Sequence, residues 1–582
     1  MGGDFDLTRI ANGLLRWTTT FQYTGSTGSV AFKFASSGAS GPWHNQWSGH
    51  TFTMDAVNSV GYGDFGNNSV NLVQNDWYTI VFKDNAYSMT DVSFMKTSAQ
   101  PVTISSTSRT TAASASPAPG QDVNISVTLS GTKSSEEKVY LVYTTNAWGS
   151  RSFVDISASF SGASGSGAVP GQIGGTTVSY YIMTSTMSLV GVTASEAEYD
   201  VRSIAVGGAG SYSVESSWTT AASPTTWSAG ASWTAGEEPV ANTPVTIGGN
   251  LTLDKDVTVS TLTVSSGFTL TASDETSRTI TVTSGGSISN SGTFDAATGK
   301  VVFAGAGTVT GTTSFNDVSL SGGVDFGASS TVNGTFQILA GGFVQTNAPT
   351  YGGASTLHYN SGNSYGVGTE WNSPHHVLVG NGVTLNFGSA SAKSCGGDLT
   401  VSSTGALDMQ TMAAPLTVSG DVTIDGVLSM SSAIGGDLKL GGDFQLSGGG
   451  TFNENDRALE FNGTGAQAIT GPELTLKYMI LNKASETLTL STPLNFEAGG
   501  VFWPTAGGLA LNGNALTMKS DATGTAVVGA VGGTVTGNIT FERYVPDNAN
   551  DAASFVNLSS YVSGIGASNW TTAGANYIFE YN

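Results

Sequence analysis

Cysteine is almost missing from this chain: Cys395 is the single one among 582 residues. No intrachain disulfide can form, thiolates cannot build a zinc site, and Cys395 as a nucleophile would need a base partner that no motif supplies. Charge is scarce as well. Asp, Glu, Lys and Arg make up 11% of the residues, against a usual ~25%, so solubility rests on Ser, Thr, Asn and Gly. Positive charge is the scarcest: 20 Lys and Arg stand against 42 Asp and Glu, a net charge of −22. Such a polyanion repels nucleic acid and anionic lipid, which excludes a nucleic-acid partner. No apolar run approaches the ~18 residues of a membrane span, so no membrane insertion is expected. The opening MGGDFDLTRIANGLLRW lacks the basic start and apolar core of a signal peptide. Histidine occurs five times, at 44, 50, 358, 375 and 376, and neither H-E-x-x-H nor G-x-x-x-x-G-K-[ST] is present. The expectation is a protein that is not an enzyme.

What the chain has is glycine, hydroxyls and repetition. Its 78 glycines are roughly twice the usual share. GTFDAATGKVVFAGAGTVTG at Gly292 returns as GTFNENDRALEFNGTGAQAITG at Gly450, with Phe294 matching Phe452 and Phe303 matching Phe461. AGGF at Ala340 returns as AGGV at Ala498, so a short insertion near Gln467 is compensated before Ala498. Within 245–540 the phrase Gly-Asp-apolar-x-apolar recurs as GDLTV at Gly397, GDVTI at Gly420 and GDFQL at Gly442, steps of 23 and 22 residues, with a further GDLKL at Gly436. A period near 22 is about one turn of a parallel β-solenoid with three short strands. Val, Leu, Ile and Phe then point inward at alternate positions, with Thr and Ser outward.

The expected architecture is all-β, with two N-terminal β-sandwiches followed by a long parallel β-solenoid (β-helix). Residues 1–101 carry short alternating runs such as SVAFKF and WYTIVFK, read as a sandwich and possible carbohydrate-binding module. Residues 102–205, with NISVTLSG, KVYLVYTT and TTVSYYIMTS, read as an immunoglobulin-like sandwich. Residues 206–244 hold Trp218, Trp227 and Trp233 and read as a linker that caps the first coil, since terminal coils need covering; an aromatic platform for sugar rings is the other reading. Residues 245–540 read as the solenoid, and 541–582 as a C-terminal β segment or partial domain.

The phrases GTF and VVF-x-G-x-G, the strand FNDVSL (315–320), NGTFQIL (333–339) and the closing NITFERYVP at Asn538 resemble the repetitive β-rich region of large secreted surface proteins of Bacteroidota, exported by the type IX route. The resemblance covers about 245–582. KVYLVYTTNAW is similar to sandwiches appended to bacterial surface proteins, and GPWHNQW with NDWYTIVFKD more loosely resembles starch-binding-type sandwiches. The resemblance implies an extracellular place on a bacterial cell surface and adhesion or glycan contact.

The candidate ligand-binding residues follow from chemistry. Sugars offer C–H faces to aromatic rings and hydroxyls to amides, which suits Trp43, His44, Asn45, Gln46 and Trp47 in one turn-rich stretch; closing the sandwich core is the competing role for either Trp. Trp148 in NAWGSR and Trp371 in EWNSPHH are further candidates. Asp398, Asp421 and Asp443 lie one coil apart. The Gly-Asp motif reads as a turn whose Asp accepts a backbone N–H, with a Ca²⁺ between stacked carboxylates as the second reading. The functional expectation is a non-catalytic surface stalk or adhesin contacting glycans or a neighbouring cell surface. A glycan-active β-helix enzyme or its binding subunit, and a self-assembling filament (a homopolymer), are the alternatives.

Overall fold

The computed structural model describes residues 8–9, 16–38, 41–111, 116–193, 201–272, 275–389, 391–530 and 532–544. The fold is all-β, with 3% helix, and contains a parallel β-solenoid of about 14 turns from about residue 244 to 541. Among the described residues no helix is long and apolar enough to cross a membrane. The expected segment 541–582 lies, beyond Tyr544, outside the described residues. The chain divides into two compact units: residues 1–332 with 342–349, and residues 333–341 with 350–582.

The first unit opens with an antiparallel sheet in the spatial order Thr8–Arg9, Arg16–Gln22, Trp77–Lys83, Thr90–Thr97, Val57–Val60. Gly28–Phe32 pairs with Asn68–Leu72, and Phe34–Gly38 with Gly41–Trp47. Tyr78, Ile80 and Phe82 fill an aromatic core with Phe34, Trp47, Phe52 and Phe94. The next sandwich has one sheet of Ile104–Arg109, Val123–Leu129 and Ser164–Val169, and another of Ser152–Asp155, Lys138–Thr144, Thr177–Ser185 and Val206–Ser213. Its second sheet thus runs past residue 205 to Ser213.

Period-two alternation holds for Val123–Leu129, where Val123, Ile125, Val127 and Leu129 are buried and Asn124 and Thr128 exposed. It fails in the strands richest in apolar residues, because those are covered on both faces. Val139 and Leu141 enter the second sandwich core. Their neighbours Tyr140 and Val142 turn the other way, onto Val81 and Met95 of the first sandwich, with Tyr181 and Met183. The two sandwiches therefore share an apolar layer, and each side chain fully buried there contributes roughly 1.5–3 kcal/mol. Polar groups fix the fit: the buried Arg16 guanidinium donates to the Ser203 carbonyl (2.7 Å) and hydroxyl (2.9 Å), and the Tyr140 hydroxyl donates to the Met187 carbonyl (2.8 Å).

Trp218, Trp227 and Trp233 are buried, at 1%, 3% and 2% exposure, as a cap requires. Trp218 heads an inward column, paired in turn with Val245, Leu262 and Ile288 of successive strands. Its indole N–H donates to the Pro119 carbonyl at 2.7 Å. Trp227 and Trp233 meet edge to face at 4.9 Å.

In the second unit the inward columns are aliphatic and aromatic: Leu399, Val422, Phe444 and Ile469 stack in one, Leu416, Leu438 and Leu459 in another, and Leu407, Leu428 and Phe452 in a third. Phe452 and its repeat partner Phe294 hold the same place in a coil, each the middle residue of a short strand paired with a leucine of the coil before, Leu428 and Leu270. The Gly-Asp motif becomes a ladder. The Asp398 carboxylate accepts the Asp421 backbone N–H (2.9 Å), Asp421 accepts that of Asp443 (2.7 Å), and Asp443 accepts that of Ala468 (2.8 Å). His376 Nδ1 starts the series by accepting the Asp398 N–H at 3.0 Å. The glycine before each Asp makes the room: a Cβ at Gly420 would collide with the Asp398 carboxylate, and one at Gly442 with that of Asp421.

Near Gln467 the insertion closes around a charge. Lys483, with no exposed surface, donates to the carbonyls of Gly463 (2.9 Å) and Gly465 (2.7 Å) and to Gln467 Oε1 (2.6 Å). The Gln467 amide donates in turn to the Leu440 carbonyl at 3.2 Å. Three acceptors satisfy all three ammonium donors, so Lys483 joins its own coil to the one before, and Gln467 carries the link on to a third.

The ladder is open to a direct test. Gly442→Ala sets a methyl against the Asp421 carboxylate and the Gly420 backbone, whereas a Cβ at Gly448 meets nothing within 4 Å. Gly442→Ala should lower the unfolding free energy by about 1–3 kcal/mol, and Gly448→Ala should change it by less than about 0.5 kcal/mol, both read from urea denaturation followed by tryptophan fluorescence.

Candidate functional site

The stretch singled out in the sequence, Gly41–Trp47, is a strand whose side chains go to two different places. Trp47 belongs to the sandwich core at 5% exposure, with its ring against Phe82 and Tyr62. Its N–H donates to the Ser88 carbonyl at 2.9 Å. Asn45 is buried as well; it donates to the Ser36 hydroxyl (3.2 Å) and accepts the Tyr62 hydroxyl (2.9 Å). These two residues are structural, so the core role holds for Trp47. Gln46 points the other way and accepts the Lys33 ammonium at 3.0 Å. With Phe32, Lys33 and Asn67 it lines a shallow depression of about 380 Å³. His44 is exposed. The Trp43 side chain lies outside the described residues.

What Trp47 and Asn45 do is present other rings. Tyr62 lies 5.7 Å from Tyr87, whose side chain is 67% exposed, near Met89 at 61%. The turn that carries Tyr87 is held firmly. Ala86 has a left-handed backbone, its N–H donates to Asp84 Oδ1 at 3.0 Å, and Asn85 donates to the Met89 carbonyl at 3.0 Å. An exposed tyrosine on a fixed turn, backed by a half-buried one with buried amide support, is an arrangement that suits sugar stacking. No tryptophan marks it, and the run DNAYSMT reads in the sequence as an ordinary turn.

The other aromatic candidates are more enclosed. Trp148 is half-buried against Tyr181 at 5.1 Å, with the Arg151 guanidinium over its ring at 5.6 Å, in the layer between the sandwiches. Trp371 is 3% exposed. Its N–H donates to the Ser394 carbonyl at 2.8 Å, and its ring packs on Tyr359 and Phe387. The EWNSPHH insertion thus folds inward. Beside Trp371, the buried Glu370 carboxylate accepts the Tyr359 hydroxyl (3.1 Å) and the Gly368 N–H (2.7 Å), and burial raises its pKa. Burial likewise pushes the Cys395 thiol up to about 11, which leaves it an inert core group.

Asp398, Asp421 and Asp443 are occupied as backbone acceptors in the ladder, the turn role of the Gly-Asp motif. The acidic group whose oxygens converge is a different one: Glu454, Asp456 and Glu497 have ligand atoms within 4.8 Å of one another, close enough to share a divalent cation. Asp456 and Glu497 are exposed, while Glu454 Oε2 is buried without a partner. GNSYG at 362–366 has the spacing of a nucleophile elbow, but Ser364 lies on the solenoid strand Ser364–Gly366 and its hydroxyl accepts the Asn386 amide at 2.8 Å. The strand–turn–helix that exposes a nucleophile is not there. No protein-family model matches the chain, and no curated protein or solved structure does either.

Burial, reinforced by Asp456 and Glu497, pushes the Glu454 carboxyl up to about 7. The folded chain then holds this proton more tightly than the unfolded chain, so the stability it contributes is present below the ordinary Glu range and lost as pH rises through about 7. Glu454→Gln should therefore be more stable than the parent at pH 8 and no more stable at pH 4, as measured by urea denaturation at the two pH values.

Proposed function

We propose that this chain is a non-catalytic extracellular scaffold of a bacterial surface: a β-solenoid stalk with two mutually docked sandwiches, contacting glycans or neighbouring cells. The observation that carries this reading is where the polar groups go. Coil after coil spends its conserving chemistry on itself, with Asp398, Asp421 and Asp443 bonded to the next coil's backbone and Lys483 to three carbonyl-type acceptors. Such groups stiffen the stack and are themselves taken up by structural bonds. Exposed Tyr87, backed by the half-buried Tyr62, supplies the contact surface. A single weak site of this kind gains strength when many copies are displayed together.

One observation favours the alternative of a glycan-active β-helix. A carboxyl raised to about 7 beside two other carboxylates is how glycosidases prepare a general acid. The two readings separate on one experiment. On a glycan array the full-length chain should bind without releasing new reducing ends. Tyr87→Ala should weaken that binding by about tenfold, the loss of one ring contact, with an unchanged melting midpoint. Release of reducing ends that Glu454→Gln abolishes would replace the scaffold with the enzyme.

A further inference from the structure

One outward column of the second unit changes character. Ser394, Thr417, Lys439 and Glu460 stand in register on successive strands, followed by Ile480 and then Trp503. In the adjoining column Ala458 is followed by Tyr478, Val501 and Val527. The inward partners in these strands, Met479, Leu481 and Phe502, are fully buried, so the polar-to-apolar change concerns the outer face alone. Tyr478 and Trp503 are partly exposed, with rings stacked 5.8 Å apart and within 25° of parallel. The next position in the Trp503 column is Gly529, where a Cβ would collide with the indole. The absent side chain lets the indole lie down over the following coil instead of standing off the sheet.

The polar atoms of these rings are unspent. Trp17, Trp47, Trp218, Trp233 and Trp371 each donate their N–H to an internal oxygen. The Trp503 N–H and the Tyr478 hydroxyl make no hydrogen bond among the described residues. Beside them Asn482 is exposed and donates to Glu460 Oε1 at 3.3 Å, while Lys439 holds Glu460 Oε2 at 2.8 Å. Two near-parallel stacked rings with free donors, edged by an amide and an ion pair, offer apolar area and directional hydrogen bonds together.

We infer that Tyr478 and Trp503 form a carbohydrate-stacking platform on the solenoid itself, for an extended, equatorially linked glycan. Linkage through equatorial positions leaves the faces of consecutive sugar rings as flat C–H surfaces, which suit the open face of a partly exposed aromatic ring. The hydroxyls at the edge of each sugar then reach the indole N–H, the tyrosine hydroxyl and Asn482. The patch is too small for a second copy of the chain: five partly covered side chains fall far short of the ~800 Å² per partner of a stable interface. This site is independent of the Tyr62–Tyr87 surface.

The test is titration calorimetry with cellohexaose, on the full chain carrying Tyr87→Ala so that the first sandwich does not contribute. That chain should bind, and adding Trp503→Ala should weaken binding by about tenfold without moving the circular-dichroism melting midpoint. If Trp503→Ala unfolds, Tyr478→Phe, which removes only a hydroxyl with no internal partner, should still weaken binding measurably. Absence of cellohexaose binding, or binding that neither substitution changes, overturns the platform. A dimer in sedimentation that Trp503→Ala dissolves overturns it too, in favour of contact between copies. Neither result bears on Tyr87, whose failure would show instead in the array.

Discussion

The bond from one coil's side chain to the next coil's backbone governs this molecule. In a parallel stack most backbone groups find partners along the strands, but at the corners the chain leaves strand geometry and an N–H must be satisfied some other way. Here an Asp carboxylate does it, and at Asp421 and Asp443 the glycine just before the receiving residue leaves it room. Gly420 and Gly442 are thus fixed by a neighbour's side chain and not by their own turn. That reciprocity explains why the two residues travel as a pair through the sequence, and why the pair repeats at the length of a coil.

The same accounting explains the unusual members of the series. His376 takes the Asp position at the first rung because an unprotonated Nδ1 accepts the Asp398 N–H as a carboxylate would; its 3.3 Å approach to Asp398 Oδ2 is therefore no evidence of an ion pair through that nitrogen. At the other end, the two-residue lengthening near Gln467 would leave the carbonyls of Gly463 and Gly465 without strand partners. Lys483 supplies three donors at that place, and burial lowers its pKa without removing its purpose. A charge with every donor used is tolerated where a lone charge would not be.

Much of this was legible in the sequence, and the limits have physical causes. The solenoid showed itself through period-two alternation and the Gly-Asp spacing, because each coil repeats one set of constraints. The tryptophan cap was legible because three large rings in a polar segment need cover. The docking of the sandwiches is less legible: WYTIVFK reads as an alternating run, yet the unbroken apolar character of YTIVF and VYLVY is itself the mark of strands covered on both sides. The strand Val206–Ser213 escaped because VGGAGSYS has no alternation to see, and Gly210 lies against the Tyr180 ring where a Cβ would clash. The site residues fared worst. The tryptophans that sequence singles out, Trp47 and Trp371, serve the interior, as Trp218 does, and the ring that the first sandwich's candidate surface exposes is a tyrosine, Tyr87, in an unremarkable turn.

That outcome follows from how a scarce-charge surface works. With few charged side chains to cover apolar area, a large ring is stable outside only where something beneath or beside it shares its surface. Tyr62 has Trp47 under it, and Trp503 has the bare backbone of Gly529. A ring so supported keeps one face free at little cost, and that face retains affinity for C–H surfaces in a coat otherwise made of hydroxyls. The contrast between ring and hydroxyl, and not charge, is then what a partner can recognise. For a polyanion this favours neutral partners, which have apolar ring faces and no charge to be repelled.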